Sequence, residues 1–211
     1  MTFLVEGIKI IKETRRKRLV ARPPEGRPHP WMGQKGSGRS RAYISSRAMK
    51  SLMSHCEEQA QVGLEALGFL SGSVFSWKGR TFTVVRDALT APLEATAVHV
   101  RFDRTGFVGL FKQLDKLDYE YIIVGWYHSH PGYGCFMSDT DQQTQMAGFS
   151  ERFHAALVVD PVKKQMMAFR MTRGPRTVQG KEYVVPYEEV PFALYDEKAW
   201  PWPGPLKSNK R

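Results

Sequence analysis

GWYHSHPGYGCFMSDTD, residues 125 to 141, decides how this chain of 211 residues is read. His128 and His130 stand at i and i+2 on what reads as a strand, so both imidazoles project from one face. Seven residues lie between His130 and Ser138, and two between Ser138 and Asp141. Ser138 and Asp141, three apart at an expected helix start, share a face as well. A strand end and a helix start, joined by a turn that holds Pro131, Gly132 and Gly134, aim two nitrogens and one carboxylate at one point. Three protein ligands with a fourth position left open form the donor set of a catalytic zinc rather than a structural one. The stretch implies a metallohydrolase.

Outward from it, Tyr121 to His128 reads as a buried strand and Ser138 to about Phe149 as the next helix. Upstream, Ser45-Ser46 is placed to cap a helix over about 46–62, with Ala48, Leu52, Met53 and Cys56 as its apolar stripe. Ala66 to Phe75 reads as a strand in which Gly68 and Gly72 admit close approach of other backbone. Thr81 to Leu89 pairs with it as a hairpin across Trp77-Lys78-Gly79-Arg80. A short strand is expected at His99 to Asp103, and a helix at Thr105 to Leu117 from its apolar stripe. Ala155 to Asp160, Gln165 to Thr172 and Glu182 to Glu188 read as further strands. This order implies an α/β layer structure, one mixed sheet covered by two or three helices.

Charge divides the chain unevenly. Residues 9 to 41 carry eleven Lys or Arg and two Glu, which is +9 of the net +10. This segment has little periodicity and many Pro and Gly, so it reads as an extended arm or loosely packed loop. It offers contact to an acidic partner, or serves as a solvated leader. The C-terminal WPWPGPLKSNKR is Pro-rich and cannot be helix or central strand. No run of eighteen apolar residues and no apolar h-region near the N-terminus are present, so neither a membrane span nor a secretory signal is expected. Two cysteines, Cys56 and Cys135, make no disulfide framework, and a cytoplasmic setting is expected.

GWYHSHPGYGCFMSDTDQQTQ resembles the signature of the JAMM (MPN+) metalloproteases: an upstream Glu, H-x-H, seven residues, Ser, two residues, Asp. Its flanks are similar to those of the eukaryotic-type isopeptidases of the proteasome lid and the COP9 signalosome. EALGFLSG at 65–72, ALVVDP at 156–161 and AFR at 168–170 agree too, so the resemblance covers roughly residues 45 to 172. It implies a single MPN (JAMM) domain with a mixed central β-sheet flanked by helices. The expected division is a basic N-terminal segment, 1–44, a catalytic core, 45–175, and a C-terminal extension, 176–211, with one more strand before the Pro-rich tail.

The same resemblance implies one catalytic Zn²⁺ on His128, His130 and Asp141, able to lower the pKa of a water towards ~7. It assigns proton transfer to Glu65, which the residues alone would not separate from Glu57, Glu58, Glu94 or Glu120. Partial burial at the start of an apolar strand would raise the Glu65 pKa usefully. Ser138 is placed to donate to a developing oxyanion, and equally to cap the helix by accepting the Asp141 amide. Cys135 as a fourth ligand would close the site, so a packed thiol is expected instead. His99 and His154 read as structural, and Trp126 and Phe136 as packing around the metal.

The implied reaction is hydrolysis of the isopeptide bond between the C-terminal Gly-Gly of a ubiquitin-like protein and a lysine, or trimming of a ubiquitin-like precursor. A Gly-Gly tail has no Cβ, and a narrow slot selects it. The tail would add as a strand to a sheet edge at residues 91–103. That insertion is short, which points to a compact, stand-alone enzyme of a prokaryotic ubiquitin-like system. Expected partners are a ubiquitin-like protein or its conjugates, and an acidic partner for residues 9–41, with nucleic acid the less favoured form of the latter. Two other readings stay open: a non-catalytic MPN scaffold, and a JAMM peptidase acting on sulfur-carrier adducts.

Overall fold

The computed structural model describes residues 19–32, 41–90, 94–96, 99–101, 116–117, 120–172, 176–178, 181–183 and 187–204. In chain order, β1 is Leu19–Val20 and β2 is Ala42–Ser45, followed by α1 at Ser46–Gln61. β3 (Leu67–Trp77) and β4 (Arg80–Thr90) form the expected hairpin. β5 (Glu94–Thr96) and β6 (His99–Arg101) pair as a small separate ladder. β7 (Ile122–Ser129) leads through the histidine turn to α2, Asp139–Gly148. β8 (Ala155–Asp160) and β9 (Gln165–Met171) follow. β10 (Arg176–Val178) and β11 (Lys181–Tyr183) make a second small ladder, before β12 (Tyr187–Glu189) and β13 (Phe192–Tyr195).

The main sheet runs β12-β9-β8-β7-β3-β4-β2-β13, with β1 beside the end of β3. It is mixed: β7–β8, β2–β4 and β13–β2 are parallel, and the other neighbours on this path are antiparallel. Side-chain alternation sorts its residues onto two faces. On one face Leu70, Tyr127, Leu157 and Val159 pack with Ala48, Met49, Leu52 and Cys56 of α1. On the other, Leu67, Phe69, Trp126, Ala156 and Val158 pack with Met137 and Phe149, at the two ends of α2. Hence β8 is buried along its whole length, as a strand covered on both faces must be. Burying Met49 and Leu52 alone contributes roughly 3–6 kcal/mol.

Ser45 caps α1, accepting the Ala48 amide at 2.9 Å, which stabilises the helix by about 1 kcal/mol. Gly72 sits at a register shift between β3 and β4, where a Cβ would run into the Val84 carbonyl. The close backbone approach expected at this glycine is therefore real.

Three differences from the sequence reading have physical causes. Residues 19–32 are not a loose arm. Arg27 and Leu194 exchange backbone hydrogen bonds at 2.9 and 2.8 Å, and the Met166 amide donates to the Trp31 carbonyl at 3.1 Å. The segment thus runs from the open edge of β13 to the part of β9 beyond the reach of β12, and masks both edges. Charge and Pro content hid this, because its contacts are made by main chain and by Trp31 and Met32. β2 and β13 went unread for a related reason: four residues are too short to show a period. The described residues of the run Glu182 to Glu188 fall in β11 and β12, which pair in different ladders. The helix expected at Thr105 to Leu117 falls almost wholly outside the described residues. Among the described helices, none is long and apolar enough to cross a membrane.

Candidate metal centre

β7 delivers His128 and, one residue past its end, His130; α2 delivers Asp141 from its first turn. Three backbone hydrogen bonds or side-chain caps decide their placement. The His130 amide donates to the Val159 carbonyl at 2.8 Å, which prolongs the β7–β8 ladder through the second histidine. The chain then turns through Gly132 and Gly134, both at positive φ (85° and 86°), where a glycine meets no steric penalty. Ser138 begins α2 with a reciprocal cap: its Oγ accepts the Asp141 amide at 3.2 Å, and Asp141 Oδ2 accepts the Ser138 amide at 2.8 Å.

Three ligand atoms converge as a result. His128 Nε2 and His130 Nε2 are 3.1 Å apart, and Asp141 Oδ2 lies 3.3 Å from the first and 3.5 Å from the second. Donors held at ~2.0–2.1 Å around a tetrahedral zinc are about 3.3–3.4 Å from one another. The observed separations bracket that edge length, so the three residues fit a zinc ion. All three residues are buried, and together they are placed to hold a metal ion.

The electrostatics agree. Burial lowers the His128 pKa, against the pull of Asp141, and keeps the imidazole neutral as a ligand must be. At His130 burial acts in the same sense, but the hydrogen bond and charge of Asp141 outweigh it and the pKa rises. Burial would raise the Asp141 pKa; hydrogen bonds from the two histidines and Ser138 hold it well below the usual carboxylate range. His130 Nδ1 lies 3.2 Å from the Gly134 carbonyl, a bond that leaves Nε2 free for a metal. Ser138 Oγ also donates to Asp141 Oδ2 at 2.6 Å.

Glu65 stands just before β3. Leu67 pairs with His128 in the β3–β7 ladder, so continuing the register sets Glu65 opposite His130. Burial raises its pKa; His130 lowers it and Asp141 raises it, and those two influences mark its nearness to the ligands. Cys135 does not join the three. It is part-buried, and its thiol donates to the Val158 carbonyl. His154 lies in the core, accepting the Glu151 amide. Trp126 stacks on His128, and half-exposed Phe136 packs against His130. His99 lies in β6.

Three supporting residues escaped the sequence reading. Asp160 accepts the amides of Gly132, Gly134, Val162 and Lys163 at 2.6–3.0 Å, and so pins the turn that carries the Gly134 carbonyl. Burial works to raise its pKa, but these four donors hold it below the usual range. The signal was available: an Asp before Pro161 at a strand end is a turn former. Ser129, between the histidines, ties down Ala66. Gln145, one turn beyond Asp141, accepts the Trp126 indole N–H at 2.6 Å.

A family model described as "JAB1/Mov34/MPN/PAD-1 ubiquitin protease" matches residues 37–149. COP9 signalosome complex subunit 5 of Drosophila melanogaster is 32% identical over 185 residues, 84% of this chain and 51% of that protein. The subunit of the same name from Yarrowia lipolytica is 33% identical over 75% of this chain and 44% of its own length. The 26S proteasome non-ATPase regulatory subunit 14 of Drosophila melanogaster is 34% identical over 66% of this chain and 46% of its own. The chain thus spans about half, or less, of the curated relatives it matches. The solution structure of a protein from Desulfitobacterium hafniense aligns with a TM-score of 0.52, covering 74% of this chain and 94% of that one. At 16% identity, that likeness concerns the fold alone. With the family model covering more than half of its length, and one mixed curled sheet between the two described helices, this chain belongs to the MPN/JAMM family as a single MPN domain.

Proposed function

We propose that this chain is a zinc-dependent isopeptidase of deubiquitinase-like type, which hydrolyses the bond between the C-terminal Gly-Gly of a ubiquitin-like protein and a lysine, or trims a ubiquitin-like precursor. The observation that carries this reading is the convergence of His128, His130 and Asp141 at zinc-edge separations, with Glu65 set opposite His130. His128, His130 and Asp141 would hold the zinc, which when bound supplies Lewis acidity and a water acidified towards pH ~7. Glu65 accepts the proton of the attacking water and returns it to the leaving lysine amine, a task that a raised carboxyl pKa suits. Ser138 donates a hydrogen bond from its hydroxyl to Asp141 Oδ2 at rest. Turned towards substrate, the same hydroxyl donates to the oxyanion that forms on the scissile carbonyl.

For substrate class, support comes from the relatives' names and from the β5–β6 ladder. Those two strands lie within residues 91–103, where the extended Gly-Gly tail is expected to add by main-chain hydrogen bonds. A scaffold without catalysis would have no need to keep three buried ligands and a carboxylate opposite them. The test is cleavage of a ubiquitin-like protein joined through its Gly-Gly terminus to a lysine side chain. Cleavage by the wild-type chain, lost with Glu65→Gln and with a strong chelator, supports the reading. Cleavage that survives either treatment sinks it.

A further inference from the structure

The two histidines are held by different means. His130 has a partner for its second nitrogen, the Gly134 carbonyl. Among the described residues, His128 Nδ1 is buried without a hydrogen-bond partner. A ligand histidine ordinarily gives its other ring nitrogen to a carboxylate or carbonyl, which fixes ring orientation and tautomer. His128 lacks that device, and its imidazole lies instead on the Trp126 indole, ring centroids 4.5 Å apart and planes within 13°.

Trp126 is fixed in turn. Its indole N–H donates to Gln145 Oε1 at 2.6 Å, and the Gln145 amide donates to the Phe149 carbonyl at 2.8 Å. Phe149 stacks on the far part of the same cluster, 5.9 Å from Trp126. Gln145 is fully buried, and an amide is an expensive group to bury unless both its ends are used. Here both are. An apolar residue would fill the same space at less desolvation cost, so simple core filling does not account for it. Gln145 also lies four residues after Asp141, on the same face of α2. One helix thus supplies the carboxylate ligand and clamps the plate against which His128 rests.

We propose that Gln145 and Trp126 are positioning residues for the metal ligand His128, with ring stacking doing what a hydrogen bond to Nδ1 would otherwise do. The proposal rests on reading His128, His130 and Asp141 as a metal centre. Through it, the Nε2–Oδ2 separation of 3.3 Å is set by a closed circuit: Asp141, one turn of α2, Gln145, Trp126, His128.

The test measures zinc affinity by competition with a chromophoric chelator, and the visible absorption of the cobalt-loaded protein, in full-length variants. Gln145→Leu and Trp126→Leu are expected to weaken zinc binding 10- to 100-fold, the usual effect of losing an outer partner of a ligand. They should also alter the cobalt bands, because the His128 ring is free to turn. Trp126→Phe, which keeps a ring face but has no N–H, should lose less. Phe75→Leu, in a separate aromatic cluster, is expected to lower Tm and leave zinc affinity unchanged. Zinc affinity within twofold of wild type in Gln145→Leu and Trp126→Leu would overturn the proposal while the metal centre stands. If Trp126→Leu does not fold, Gln145→Leu decides on the same criterion. A wild-type chain that binds no zinc would overturn the metal centre itself, and the proposal with it.

Discussion

Ser129 holds Ala66 from two sides: its Oγ accepts the Ala66 amide at 2.8 Å, and its own amide donates to the Ala66 carbonyl at 3.0 Å. Both residues are fully buried. Because Ser129 separates the two histidines and Ala66 follows Glu65, this clamp sets the carboxylate against the ligand pair. Ser129→Ala leaves the Ala66 amide without its acceptor, and such a buried orphan costs about 1–3 kcal/mol. Ser129→Thr keeps the hydroxyl and should keep most of the stability. Urea denaturation of the two variants checks this; equal loss in both would mean that volume, not the hydrogen bond, matters at this position.

A metal that binds the folded chain and not the unfolded one must stabilise it. At a free zinc concentration one hundred times Kd the gain is about 2.7 kcal/mol, or roughly 5–11 °C in Tm for a chain of this size. A chelator should reverse it. Asp141→Asn keeps an oxygen to cap α2 but lacks the charge, so its Tm should respond little to zinc. A zinc-induced shift of the same size in Asp141→Asn would move the binding site elsewhere.

Much of this was legible because the motif is local. The strand and helix that carry His128, His130, Ser138 and Asp141 lie within 27 residues, Ile122 to Gly148, and a period of two followed by a capping serine can be read directly. Ser138 as helix cap was visible too, since that role follows from its place three residues before a carboxylate. What hid were contacts made across the sheet. Asp160 reaches back to Gly132 and Gly134 from a strand 20 and more residues later, through bonds to main chain that leave no side-chain pattern. Gln145 looked like any polar residue on a helix, and only the packing of α2 on β7 gives it a partner in Trp126. The edges of the sheet were the least legible part: β2, β13 and the segment 19–32 are joined by backbone bonds between residues more than 140 positions apart.

His154 should make stability depend on pH. Burial pushes its pKa down to about 4, with hydrogen bonds to the Phe149 and Ile123 carbonyls offsetting part of the effect. In the unfolded chain it titrates near ~6.5. Between these values the unfolded state binds the extra proton, so stability rises with pH there. The contribution is fully present above pH ~6.5 and is lost as pH falls towards 4, about 3 kcal/mol over the window. Replacing His154 with Gln should flatten the dependence of stability between pH 7 and 4.5 relative to wild type. An unchanged slope would assign the effect to His29, His55 or His128, whose pKa values shift in the same direction.

Ser138→Ala separates the two roles of one hydroxyl. As a cap, Ser138 accepts the Asp141 amide, and its loss should lower stability by about 1 kcal/mol. As an oxyanion donor, its loss should lower kcat by 10²–10³ with KM nearly unchanged, because the interaction strengthens only as charge develops. Ser138→Gly has no proton to donate, yet glycine at a helix N-cap costs only about a few tenths of a kcal/mol and sets no second carboxylate against Asp141 Oδ2. It should recover much of the stability and none of the rate. Parallel measurement of Tm, kcat and KM on an isopeptide-linked substrate decides between the roles. A rate that recovers together with stability in Ser138→Gly would make the residue a helix cap alone.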